Sequence, residues 1–160
     1  MIQGVKLIDL AVQQDDRGDL FEICHDYDLV KFGQVYIVHN RMPYIVRAFH
    51  KHKELWDYFC IVHGSAAFCL VDDRAQREGK TPAEEDIPQL IQRVVLTARK
   101  PRLLVVPPEV YHGWMSLTPD TILASIGSEL YNKQAPDEER VPPSTFDQLF
   151  GRNPWEIWTK

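Results

Sequence analysis

The chain has 160 residues, 44% of them hydrophobic and 26% charged, which is enough for one real core and too short for two domains of usual size. Lys and Arg number 18 against 23 Asp and Glu, a net charge of -5 with no basic run dense enough to track a phosphate backbone, so nucleic acid is a poor partner. No apolar run approaches the roughly 20 residues of a membrane helix, and MIQGVKLIDL lacks a charged leader followed by an apolar block, so a cytoplasmic protein away from the membrane is expected.

Short apolar alternations follow one another along the chain: GVKLIDLAV, DLFEICHDY, QVYIVHN, YIVRAFHKH, LWDYFCIVHG, SAAFCLVDD, QRVVLTA, RLLVVPP and TILASIGSELY. Rich in Val, Ile, Phe and Tyr and bounded by Gly, Pro, Asp or Asn, they read as β-strands, and many short strands in succession imply an all-β sandwich or barrel in one domain spanning 1-160. AQREGKTPAEEDIPQL breaks the alternation with Gly79, Pro82, Pro88 and the acids Glu84, Glu85 and Asp86, and reads as a solvated loop or a cover over a site. In PPSTFDQLFG, Ser144 or Thr145 offers an N-cap, Phe146, Leu149 and Phe150 recur at helical spacing, and Gly151 is a stop, which predicts one short C-terminal helix. Cys24, Cys60 and Cys69 have no C-x-x-C spacing and lie in strand-like text, so they read as buried thiols in a reducing compartment. Trp155 and Trp158 read as packing residues, and His25 and His39 as surface residues.

The strongest chemical signal is VRAFHKHKELWDYF, in which His50 and His52 are two apart on a predicted strand and share a face. Asp57 stands among aromatics in a predicted strand, where an unpaired carboxylate is costly, so it should meet a cation, a metal or a histidine; His63, of the same parity, is one partner for it. VPPEVYHGW adds His112, flanked by Tyr111 and Trp114, which suit a pocket wall. H-x-H, an acid, Gly64 and a later histidine resemble the metal-binding cupin pattern. That resemblance implies a jelly-roll sandwich and, in one reading, a divalent metal held by His50, His52, Asp57 and His112.

A longer resemblance is to the sugar-nucleotide epimerases and isomerases of the dTDP-4-dehydrorhamnose 3,5-epimerase superfamily, which share the cupin jelly roll. DDRG with Phe21 and Glu22 resembles their D-x-R-G-x-F-x-E, VRAFH resembles R-G-L-H, and VPPEVYHGW resembles I-P-x-G-F-A-H-G-F. It implies a homodimer that exchanges or shares strands and needs no cofactor. It also implies a substrate that is a nucleotide-diphosphate-linked 4-keto-6-deoxy sugar. His50 would be the base, Arg47 and Arg17 would bind the diphosphate, and Glu22, His52, His112 and Trp114 would meet substrate. The epimerases' oxyanion-stabilising Lys falls on Asp57 and their acid Tyr on Ser125. The related 3,4-ketoisomerases have R-G-F-H-A-H-K, matched by RAFHKHK. They also carry tyrosines at the positions of Tyr36 and Tyr131, which makes these two the candidate acids. A metal-dependent cupin enzyme and a non-catalytic sugar- or nucleotide-binding cupin are the alternative readings.

Overall fold

The computed structural model describes residues 2–25, 28–74 and 86–157. Twelve strands are described: β1 Lys6–Asp9, β2 Val12–Asp15, β3 Gly18–Phe21, β4 Gln34–Asn40, β5 Val46–Lys51, β6 Asp57–His63, β7 Ser65–Asp72, β8 Ile91–Thr97, β9 Arg102–Val106, β10 Val110–Ser116, β11 Thr121–Gly127 and β12 Glu139–Arg140. They form a first sheet in the order β1-β9-β6-β11-β4, a second in the order β12-β5-β10-β7-β8, and a separate hairpin, β2-β3. This is an all-β, cupin-type jelly-roll sandwich with antiparallel pairing throughout the named ladders.

Alternation decides which side chains enter the sandwich. On β6, Phe59 and Ile61 point between the sheets and join Phe68, Leu70, Leu104 and Trp114 in the central core, whereas Tyr58 and Cys60 face outward. The outward face of the first sheet is covered by Leu10, Phe21, Ile23 and Leu29, which lie in and after the N-terminal strands. The outward face of the second sheet is covered by the chain's end: Phe49, Cys69, Tyr111 and Met115 pack with Trp155, Phe146, Leu149 and Phe150. Burial of this kind stabilises by about 25 cal/mol per Å² of apolar surface, so each large core side chain matters on the scale of 1.5–3 kcal/mol, as an order of magnitude.

Two helices, each one turn long, are present among the described residues: α1, Ile87–Leu90, with Pro88 in its first turn, and α2, Asp147–Phe150. Helix α1 was not expected. Helix α2 and its stop at Gly151, which takes φ 68, match the sequence reading, but the N-cap is Phe146, and neither Ser144 nor Thr145 caps it. Pro142–Thr145 instead forms a turn in which Thr145 N donates to the Pro142 carbonyl at 3.0 Å. GVKLIDLAV divides into β1 and β2, and DLFEICHDY keeps only β3, so Cys24 lies outside any strand and is half-buried, whereas Cys60 and Cys69 are buried. Burial pushes the thiol of Cys60 up to about 11 and that of Cys69 up to about 12, so both are protonated packing groups. Most of the expected loop, including Gly79, Pro82, Glu84 and Glu85, and Trp158 lie outside the described residues.

Candidate active site

A cavity of about 540 Å³ lies between the sheets and opens beside β4, β5 and β10. It is lined by Tyr36 of β4, Arg47 and His50 of β5, Asp57 of β6, and His112 and Trp114 of β10. His52 joins them from the residue after β5, and Tyr131 from the segment after β11. The two histidine motifs meet because β5 and β10 are neighbours in register: His112 is opposite His50, and Trp114 is opposite Arg47. A bulge between His112 and Trp114 brings β10 against β5 at Gly113, where a Cβ would stand 2.3 Å from the Cβ and 2.8 Å from the Cα of Ala48. Only glycine fits there.

His50 is oriented by a residue the sequence reading did not nominate. Its Nδ1 donates to Oε1 of Glu138 at 2.5 Å, which leaves Nε2 as a lone pair. Arg140 holds the other oxygen of Glu138 at 2.7 Å. Burial works to raise the Glu138 carboxyl, but the hydrogen bonds from Arg140 and His50 hold it below its usual value. The carboxylate of Asp137 accepts from the backbone N–H groups of Lys53, Glu54 and Leu55 at 2.9, 2.9 and 3.1 Å, pinning the loop that carries His52. Asp137 and Glu138 of PDEER thus serve the site from a stretch whose only sequence signal is an acidic run before two prolines.

A second group centres on Asp57, which is 2% exposed. Its Oδ2 lies 3.3 Å from Nε2 of His112 and 3.5 Å from Nε2 of His52. Nδ1 of His112 donates to the Val110 carbonyl at 3.1 Å, and Nδ1 of His52 donates to the Asp137 carbonyl. A carbonyl can only accept, so both Nδ1 atoms carry protons, and in the neutral rings both Nε2 lone pairs face the carboxylate. Burial pushes Asp57 up to about 7 against the pull of His52, with Glu138 and Asp137 adding to the rise. Burial, reinforced by His52, pushes His112 down to about 3. His63 is not the partner of Asp57: it sits exposed at the far end of β6. Burial and then the charge of Asp57 raise the phenol of Tyr36, which belongs to the same sheet as Asp57, faces the sheet that carries His50, and is in register with the buried Ser125.

Two nominated substrate residues are not brought to this cavity. Arg17 sits at the tip of the β2-β3 hairpin, 90% exposed and paired with Asp15 at 2.5 Å, and Glu22 lies outside the sandwich beside His25 at 3.3 Å. The D-x-R-G motif forms a tight turn in a hairpin that pairs with neither sheet of the sandwich, and none of its residues lines the cavity. Tyr111 does not wall the cavity either, since alternation turns it outward onto Phe146. His25 and His39 are apart from the cavity, His39 meeting Asp120 at 3.1 Å. Arg47 keeps its place in the wall, its Nε donating to Asn40 at 2.8 Å.

Comparison with known proteins agrees with this architecture. The family model described as dTDP-4-dehydrorhamnose 3,5-epimerase matches residues 1–144. The spore coat polysaccharide biosynthesis protein SpsL of Bacillus subtilis is 34% identical over 146 residues, covering 89% of this chain and 90% of that one. The rmlC epimerase of Mycobacterium tuberculosis superposes with a TM-score of 0.76 at 21% identity, covering 98% of this chain and 75% of that one. QdtA, a sugar 3,4-ketoisomerase of Thermoanaerobacterium thermosaccharolyticum solved with TDP, superposes at 0.69 with 22% identity, covering 94% and 98%. The family match makes the chain a sugar-nucleotide epimerase or isomerase, and the fold agrees with it. The chain belongs to the dTDP-4-dehydrorhamnose 3,5-epimerase family.

Proposed function

We propose that one cupin domain epimerises a nucleotide-diphosphate-linked 4-keto-6-deoxy sugar, with His50 as the base and no cofactor. The observation that carries this reading is the Glu138–His50 pair inside the cavity: the carboxylate fixes the tautomer and leaves Nε2 free to take a proton. A carbon next to a ketone has an acidified C–H bond, so the base removes its proton and leaves an enolate. Tyr36 belongs to the sheet facing His50, so a sugar ring between them has the base on one side and a proton donor on the other, the requirement for inversion. Tyr131, 62% exposed at the rim, is the other candidate acid. Asp57, His52 and His112 line the same cavity as His50, and Asp57 stands at the position of the resembled epimerases' oxyanion-stabilising Lys, which supports a role in which a protonated Asp57 donates to that oxygen. Arg47 offers its remaining guanidinium donors to the diphosphate, and Trp114 gives an apolar wall.

The exposed apolar side chains of edge strand β4, Val35 at 59% and Ile37 at 61%, support a homodimer. In such a dimer the projecting hairpin could bring Arg17 to a neighbouring cavity. The free thiols at Cys24, Cys60 and Cys69 support a cytoplasmic setting. No helix among the described residues is long and apolar enough to cross a membrane.

A second reading, a metal-assisted cupin, is favoured by one feature: ligand atoms of His52, Asp57 and His112 lie within 4.8 Å of one another with both Nε2 atoms directed at the carboxylate. These residues suit a divalent ion, while His50, tied to Glu138, stands outside the set. A bound ion would act as a Lewis acid toward a carbonyl oxygen.

Incubation of a dTDP-linked 4-keto-6-deoxyhexose with the enzyme in heavy water tests the main reading. Deuterium should enter beside the carbonyl, and His50→Ala should lower its entry by about a hundredfold or more. A wild-type protein that binds the sugar nucleotide yet incorporates no deuterium would overturn it.

A further inference from the structure

The strand that carries the Glu138 carboxylate to His50 is weakly founded. β12 has only two residues, with register pairs Glu139 to Lys51 and Arg140 to His50, and beyond it the ladder continues through the Phe49–Val141 backbone pair at 3.0 and 3.1 Å. A ladder this short offers little register specificity of its own. Side chains must supply the rest.

Glu138 and its neighbour Glu139 serve opposite faces of the second sheet. Glu138 points into the cavity, and Glu139 points to the outer face, where Lys51 is 3% exposed. Nζ of Lys51 lies 3.2 Å from Oε2 of Glu139, 3.2 Å from Oδ2 of Asp73 and 4.2 Å from the Tyr111 ring centroid. The Tyr111 hydroxyl donates to Oε1 of Glu139, so that carboxylate is gripped at both oxygens. Lys51 is also the residue after His50, and Tyr111 the residue before His112. The grip therefore ties β12 to the two strands that carry the cavity histidines.

We propose that Glu139 is a positioning residue for the base: held by Lys51 and Tyr111 on the outer face, it keeps β12 in the register that brings Glu138 to Nδ1 of His50 on the inner face. The inference rests on the reading of His50 as the base and adds how that base is aimed. A displacement of about 1 Å at such a pair is enough to cost about a hundredfold in rate. Nothing about Glu139 requires contact with the sugar.

The test needs two readouts, one independent of substrate. In protein labelled at the histidine nitrogens, the Nδ1 proton of His50 bonded to a carboxylate gives a low-field resonance, assigned by its loss in Glu138→Ala. Glu139→Ala, at a position 52% exposed, should fold normally and lose that resonance, and kcat should fall by about tenfold to a hundredfold with KM within about twofold. Glu139→Gln should retain both signal and rate, because its amide oxygen still accepts from Lys51 while its NH2 donates to the Tyr111 hydroxyl oxygen. Lys51→Met is the second variant and should behave like Glu139→Ala. In the Glu138→Ala background, Glu139→Ala should lower kcat no further. Retention of the resonance in Glu139→Ala, or losses that multiply with Glu138→Ala, would overturn the proposal. If the wild-type enzyme leaves the chosen sugar nucleotide unchanged, the main functional reading fails, while the resonance still decides the role of Glu139.

Discussion

His50 and Glu138 are 88 positions apart in the chain, yet Nδ1 of one donates to Oε1 of the other at 2.5 Å. The contact fixes the tautomer of His50, the proposed base, and exists only through tertiary structure. Glu138→Gln should therefore lower kcat by about a hundredfold, since an amide can present its NH2 to Nδ1 and favour the wrong tautomer. Steady-state kinetics on the sugar nucleotide check this, with KM nearly unchanged.

The close approach of β5 and β10 makes a prediction about stability. In Gly113→Ala, the new methyl meets both the Cβ and the backbone of Ala48, and neither can swing away. Urea unfolding should show a loss of about 3 kcal/mol, and activity should fall with it as His112 leaves its register opposite His50. A loss under about 0.5 kcal/mol would show that the bulge accommodates a side chain.

Asp57 and His112 should give the stability a particular pH dependence. The folded protein keeps the Asp57 proton up to about 7, whereas the unfolded chain releases it near 3.8, so this group makes stability fall as pH rises across that window. His112 acts in the opposite sense: it is neutral in the fold above about 3, while the unfolded chain stays protonated up to 6.5, so it makes stability rise with pH over that range. The two oppose one another where they overlap, and Asp57 alone remains above about 6.5. Wild-type Tm should fall between about pH 6.5 and 8, and Asp57→Asn, which never ionises, should exceed it by about 3 °C at pH 8. If Asp57→Asn is instead the less stable protein at pH 8, and chelator brings the wild type down to match it, the metal-assisted reading takes over.

The edge of the first sheet predicts association. Light scattering on wild-type protein should give twice the 18.6 kDa chain mass, and Ile37→Lys, a charge in the middle of the exposed β4 stripe, should return it to the chain mass. A wild-type monomer would remove the dimer from the account.

What could be read from residues alone follows a physical line. QVYIVHN matches β4 at the expected residues because its β-branched and aromatic run follows Gly33, but Val35, Tyr36, Ile37 and Val38 are apolar on both faces, so the run does not say which face meets the cavity, and Tyr36 is singled out only by the resemblance to the ketoisomerases. The histidines of two motifs converged because both lie on or beside neighbouring strands of one sheet. β12 was invisible, since two charged residues, Glu139 and Arg140, carry neither alternation nor β-propensity, and their pairing depends on β5. Glu138 and Asp137 were hidden with it. Arg17 shows the reverse case: its motif matched well, but a motif fixes a local turn and not where the turn lies relative to β5.

His50 on β5 and Tyr36 on β4 belong to opposite sheets, which is the basis for proposing that base and acid address the sugar from opposite sides. The most direct measurement is the stereochemical outcome of deuterium entry in Tyr36→Phe. With the opposing donor gone, His50 can exchange its proton with solvent and return deuterium only from its own side, so the starting sugar should gain deuterium with its configuration retained. His50→Ala should gain deuterium at least about a hundredfold more slowly. Inverted, deuterated product formed by Tyr36→Phe at the wild-type rate would contradict the account, because the second proton would then come from another group.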